Sequence, residues 1–144
     1  MMIRRLVLTA AAAIALATSA QAAGSPNGDW FTASGSGKVR IAPCGDGLCG
    51  TLVWLKNPLD RTTGKPQLDA KNPDPALRSR PIVGLQLIRG FKPGAGGRWT
   101  GGYIYDPGSG RTYASKLGLN PDGTLKVEGC ISVICQAQTW RPAT

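Results

Sequence analysis

Histidine is absent from this 144-residue chain, and glutamate occurs once, at Glu128. Without histidine, Ser-His-Asp and Cys-His mechanisms are unavailable, and so are histidine metal sites. No glycine-rich phosphate loop precedes a helical pattern, and no dinucleotide fingerprint follows a strand. Outside the N-terminus no long stretch carries the 3.6-residue apolar period, and 20 glycines with 11 prolines argue against a helical protein. A glycosidase pair of aspartates survives formally, since Asp60, Asp69, Asp74 and Asp106 all fall in expected loops. Each lies beside or within three residues of a proline, where aspartate is most simply a turn former. No catalytic residue, cofactor or metal is therefore expected.

The N-terminus supplies an address. Arg4 and Arg5 form a positive segment, residues 6–17 a short apolar one, and Ala20-Gln21-Ala22 places small residues where a signal peptidase reads. The apolar run is shorter than the ~20 residues that span a bilayer. Residues 1–22 are thus expected to be a cleaved signal peptide and 23–144 a single exported domain, periplasmic or secreted, with no transmembrane segment. Loss of Arg4 and Arg5 lowers the formal charge from +9 to +7. The remaining basic residues are scattered singly, so no nucleic-acid partner is expected, although a net positive charge favours anionic lipid.

Four cysteines in an exported chain are most simply two disulfides. Cys44/Cys49 and Cys130/Cys135 share one spacing, which favours two local bridges among the three pairings. The first flanks a Gly45-Asp46-Gly47 turn. The second encloses Ile131-Ser132-Val133-Ile134, a poorer turn sequence. Zinc and dithiol readings fit the wide spacing and the oxidising compartment less well.

Short alternating segments separated by turn signals run through the rest of the chain. Strands are expected at 28–32, 38–41, 51–55, 82–88, 98–105, 111–119 and 125–128, with a last one ending at Trp140 and Arg141. The segment 56–80 carries four prolines and little periodicity, and reads as a loop. About eight consecutive, hairpin-joined strands suit an all-β, antiparallel up-and-down barrel, which leaves no exposed sheet edge. A two-sheet sandwich remains the alternative. A barrel of eight either packs its interior or holds one small ligand.

Candidate ligand-binding residues follow from this pattern. Trp99, Tyr103 and Tyr105 are expected on one face of a strand, with Gly101 as a gap in the row. Tyr113 shares a single face of the next strand with Ser115, Leu117 and Leu119, and Trp54 is a barrel residue of undecided face. Arg78 and Arg80 concentrate charge in the 57–81 loop, read either as a lid over the barrel mouth or as a loop tied down by Asx turns and ion pairs. A small apolar or lipid-derived ligand is the leading partner. An envelope protein or anionic lipid meeting the 57–81 loop is the alternative.

Several phrases together resemble one family: Cys49-Gly-Thr-Leu-Val-Trp-Leu-Lys56, Asn72-Pro-Asp-Pro-Ala-Leu-Arg-Ser-Arg80, Trp99-Thr-Gly-Gly-Tyr-Ile-Tyr-Asp-Pro107 and Thr139-Trp140-Arg141. They are similar to the exported bacterial family known as domain of unknown function 2147. That resemblance implies a lipocalin-like barrel outside the cytoplasm and no assigned reaction. Gly28-Asp29-Trp30 also resembles the Gly-x-Trp that opens lipocalins. The same resemblance implies a clasp in which Arg141 covers the Trp30 indole, worth ~0.5–2 kcal/mol.

Overall fold

The computed structural model describes residues 24–144, so the expected signal peptide lies outside the described residues. Eight strands run in chain order: β1 (Gly28–Phe31), β2 (Gly37–Cys44), β3 (Gly47–Leu55), β4 (Gln86–Pro93), β5 (Arg98–Asp106), β6 (Arg111–Leu119), β7 (Leu125–Ile131) and β8 (Ile134–Pro142). Each pairs antiparallel with the next, and β1 pairs with β8, opposing Trp30 to Pro142 and Phe31 to Arg141. The result is a closed up-and-down barrel with no free edge to template aggregation.

Two ends follow from the connectivity. The β2–β3, β4–β5 and β6–β7 turns gather at one end, while the β1–β2, β3–β4, β5–β6 and β7–β8 connections gather at the other. Val39, Ile41, Leu48, Ile88, Phe91, Leu117 and Leu125 are almost wholly buried and fill the first end. Gly102 makes that packing close: a Cβ there would lie 2.3 Å from the Phe91 ring. The 24–27 leader seals the same end, where the Trp30 indole N–H donates to the Pro26 carbonyl at 2.8 Å.

Both cysteine pairs are bridged locally. Cys44–Cys49 crosses the β2–β3 hairpin at the packed end, with Gly45 at φ 60° in its turn. Cys130 and Cys135 oppose each other directly across β7 and β8. That bridge holds a two-residue turn in which Ser132 adopts φ 55°, the one non-glycine with positive φ among the described residues.

Three expectations need correction. The fourth strand is Gln86–Pro93 and not 82–88: residues 82–85 form a bend, with Gly84 N–H donating to Leu52 O and Leu85 O accepting from Leu52 N–H. Leu85 and Leu87 therefore do not share a strand face with Val83, which is exposed. The aromatic row is broken as well. Gly101, at φ 72°, takes up an extra residue where the β5–β6 register shifts between Trp99 and Gly102. That bulge resets the alternation. Trp99 then opposes Leu117 and packs on the core, whereas Tyr103 opposes Arg89 and Ala114 and is exposed, with the Arg89 guanidinium over its ring at 5.7 Å.

The third correction is the clasp. Arg141 opposes Phe31, one position away from Trp30, and is exposed while Trp30 is buried. Neighbouring positions on a strand face opposite sides, so the guanidinium and the indole lie on different faces of the wall. The backbone ladder closes the barrel without them. The cation that stands over aromatic rings on this outer face is Lys38, its ammonium 5.2 Å from the Phe31 ring and 5.9 Å from the Trp54 ring.

Candidate functional site

At the end opposite the packed core the barrel is hollow. A cavity of about 820 Å³ opens between the four connections, within the ~300–1,000 Å³ range of small-molecule sites. Its wall is clearest on the β7–β8 pair, where inward positions oppose one another from floor to rim. Leu125 faces Trp140 at the buried floor, Val127 faces Gln138, Gly129 faces Gln136, and Ile131 faces Ile134 at the rim. All but Leu125 of these residues line the cavity.

Gly129 matters by what it omits. A Cβ there would meet only Tyr113, at 3.7 Å, so the missing side chain leaves space beside the tyrosine. Leu52, Leu87 and Ile104 give the opposite wall its apolar character. Polar groups share the lining: Tyr113, Gln136 and Gln138 on the strands, with Thr32, Ser34, Ser36, Gln67, Lys71 and Asp106 on or beside the connections. Trp140 Nε1 donates to Gln138 Oε1 at 3.2 Å, which holds one amide in place. The arrangement can enclose an apolar body and offer hydrogen bonds to polar groups along its wall and at its mouth.

The β3–β4 connection forms one side of the mouth through Gln67, Leu68, Ala70, Lys71 and Ile82. Asp69 organises it. This carboxylate is 1% exposed and accepts from the Tyr105 hydroxyl, from Asn72 Nδ2 at 2.8 Å and from Arg80 at 2.9 Å. Burial alone would push its pKa up, but the three donors and the Arg80 charge outweigh burial and hold it below the usual carboxylate value. Tyr105 shows the converse. Burial first, and then the hydrogen bond to the Asp69 carboxylate, push its phenol up to about 12. Arg78 donates to the Asn72 carbonyl at 2.7 Å, and Lys71 Nζ to the Gly108 carbonyl at 2.7 Å. The connection is a rim braced against β5 and the β5–β6 loop, and two of the arginines suggested by sequence are engaged within it.

The sequence-based candidates therefore divide. Tyr105 and Tyr113 line the cavity. Arg80 and Tyr105 also border a smaller hollow outside the wall, of about 360 Å³, with Asn72, Leu85 and Arg89. Trp54 stands on the outer wall, edge-on to Phe31 at 5.9 Å and 41% exposed. Trp99, Tyr103 and Arg78 do not line the cavity. The aspartates do not converge as a pair either. Asp60 accepts from the Thr62 and Thr63 backbone, Asp74 from Ala76 N–H, and Asp106 from Gly108 N–H and the Ser109 hydroxyl, each within its own turn. Sequence reasoning missed Gln136 and Gln138, whose alternation with Trp140 was legible, and Asp69, whose burial was not.

A family described as uncharacterised proteins conserved in bacteria, DUF2147, matches the chain over residues 28–141. The chain belongs to this family. The match covers all eight strands and the braced connection, so the barrel and its mouth are both family territory. Among solved structures the DUF2147 chain is similar to protein HP1028 from Helicobacter pylori, described as belonging to the lipocalin family. The two share 19% identity over 83% of this chain and 84% of that one, with a TM-score of 0.70. That likeness establishes the lipocalin-like fold. No curated protein matches the sequence.

Proposed function

We propose that this protein binds a small, largely apolar molecule, of lipid-derived chemistry, in the mouth of its barrel, and that it does so in the periplasm or outside the cell. The observation that carries this reading is the open cavity of about 820 Å³, whose wall of Leu52, Leu87, Ile104 and Val127 is apolar and whose polar lining includes Tyr113, Gln136 and Gln138. A molecule that buries its hydrocarbon there gains ~0.8 kcal/mol per CH₂ removed from water. Tyr113, Gln136 and Gln138 then receive its polar end. The export reading draws on the Arg4–Ala22 pattern and on two disulfides, which suit an oxidising compartment.

Mass spectrometry of the protein extracted from its own cell envelope should recover a bound apolar molecule. In parallel, a fluorescent fatty-acid probe should bind the purified protein. Gly129→Trp, which fills the gap beside Tyr113, should weaken the probe at least about tenfold while the midpoint of thermal unfolding stays close to the parent's. Probe binding that ignores this substitution would remove the cavity from the account.

A further inference from the structure

The β7–β8 tip is unlike the other turns. Ile131, Val133 and Ile134 are 65%, 92% and 72% exposed, three large apolar side chains around a two-residue turn. A turn of this length normally takes glycine or asparagine. Here Ser132 holds the left-handed conformation under the Cys130–Cys135 bridge, and a β-branched residue occupies the apex. Nothing in the packing of the barrel calls for these residues. Ile131 and Ile134 instead form the cavity's rim, which continues into Leu68, itself 45% exposed.

Charge is distributed around the same mouth. The β3–β4 connection carries six cations, Lys56, Arg61, Lys65, Lys71, Arg78 and Arg80, against Asp60, Asp69 and Asp74. Asp69 is buried with Arg80, and Asp60 and Asp74 cap their own turns. Lys56, Arg61, Lys65 and Lys71 form no ion pair among the described residues. An exposed apolar tip at the same end of the barrel as these unpaired cations is complementary to a surface that offers hydrocarbon behind anionic headgroups.

We propose that the mouth docks on an anionic lipid surface, with Val133 and its two isoleucine neighbours entering the interface and the β3–β4 cations meeting headgroups. Resting on the binding reading above, this makes the bilayer the source or destination of the ligand. Ile131 and Ile134 then belong both to the cavity rim and to the docking tip, with Val133 at the apex outside the cavity, and an acyl chain passes between bilayer and barrel without crossing open water.

The test is co-sedimentation of the purified mature protein with vesicles of phosphatidylglycerol or of phosphatidylcholine alone. Binding should favour phosphatidylglycerol at least about tenfold, at about fivefold per cation engaged, and weaken as salt rises. Val133→Asp should lower it about tenfold or more, and Arg61→Gln with Lys65→Gln by a similar factor. Val133 is 92% exposed, so the aspartate variant keeps the barrel, and it should bind the soluble fatty-acid probe as the parent does. Equal binding to both lipids, no binding, or indifference to Val133→Asp overturns the docking proposal. If the probe still binds in that case, the cavity reading stands and docking alone has failed. Lipid-dependent sedimentation without probe binding supports docking and removes the cavity reading. A dimer that Val133→Asp dissociates, with no preference for anionic lipid, assigns the tip to a second copy and overturns the proposal.

Discussion

Tyr105 is the residue where sequence and structure part most instructively. Alternation along 98–105 groups it with Trp99 and Tyr103, and a single glycine with positive φ separates it from Trp99 while Tyr103 and Tyr105 keep their alternation. Its hydroxyl instead joins a buried carboxylate contributed from 36 positions earlier in the chain, a pairing that no local pattern encodes. The consequence is measurable. Of the three tyrosines, Tyr105 should titrate near pH 12, and Tyr105→Phe should remove that step from an absorbance titration of phenolate. The sign for stability follows from linkage. Between the ordinary 10.0 and about 12 the folded protein keeps a proton that the unfolded chain releases, so stability falls as pH rises through that window. A tyrosine variant that leaves the alkaline limb of the unfolding curve unchanged would contradict this assignment.

Asp69 behaves in the opposite sense. Its folded pKa is depressed, so its contribution is present above the ordinary carboxylate range and is lost as pH falls through the folded value. At the scale of the element, this one carboxylate braces the β3–β4 connection. Asp69→Asn should cost on the order of 2 kcal/mol, less than the ~3–5 of a fully buried pair because the Arg80 side chain is 38% exposed. Faster amide exchange in that connection, with β2 and β7 still protected, is the expected signature. Uniform loss of protection across the barrel would show that the brace is part of the core.

The β7–β8 hairpin makes a second element-scale case. Its bridge closes a loop with a sequence separation of 5, worth about 2 kcal/mol by chain entropy. Replacing both Cys130 and Cys135 with serine should lower the urea midpoint accordingly. Adding Ser132→Gly should then restore about 1 kcal/mol, the cost of a left-handed non-glycine residue. No recovery would mean that the turn is not under conformational tension once the bridge is gone.

For the whole molecule, the barrel was legible because its evidence is repeated: eight alternating segments, turn signals between them, and two hairpin cysteine pairs of equal spacing. Val39 and Ile41 are buried in the core as their alternation requires. The bend at 82–85 was not legible, since Ile82 to Ile88 alternates as well as any true strand and is diverted only by its bonds to Leu52. The cavity was legible only as one of two outcomes for eight strands. Whether an interior is filled depends on residues such as Gly129 and Phe91 meeting across strands, and strand patterns do not carry cross-barrel volumes.

The seam between the first and last strands has a consequence of its own. Because β1 lies against β8, and Ala143 N–H donates to Asp29 O at 2.9 Å, the last residues of the chain return to the place where the barrel begins. The polypeptide is therefore close to a ring. Joining residue 144 to residue 24 through a short glycine linker, and cutting the chain at the 94–97 turn, should yield a circular permutant with the same barrel, the same cavity and the same pair of cross-links. The order in which the eight strands are synthesised would then be free to change while their neighbours stay fixed.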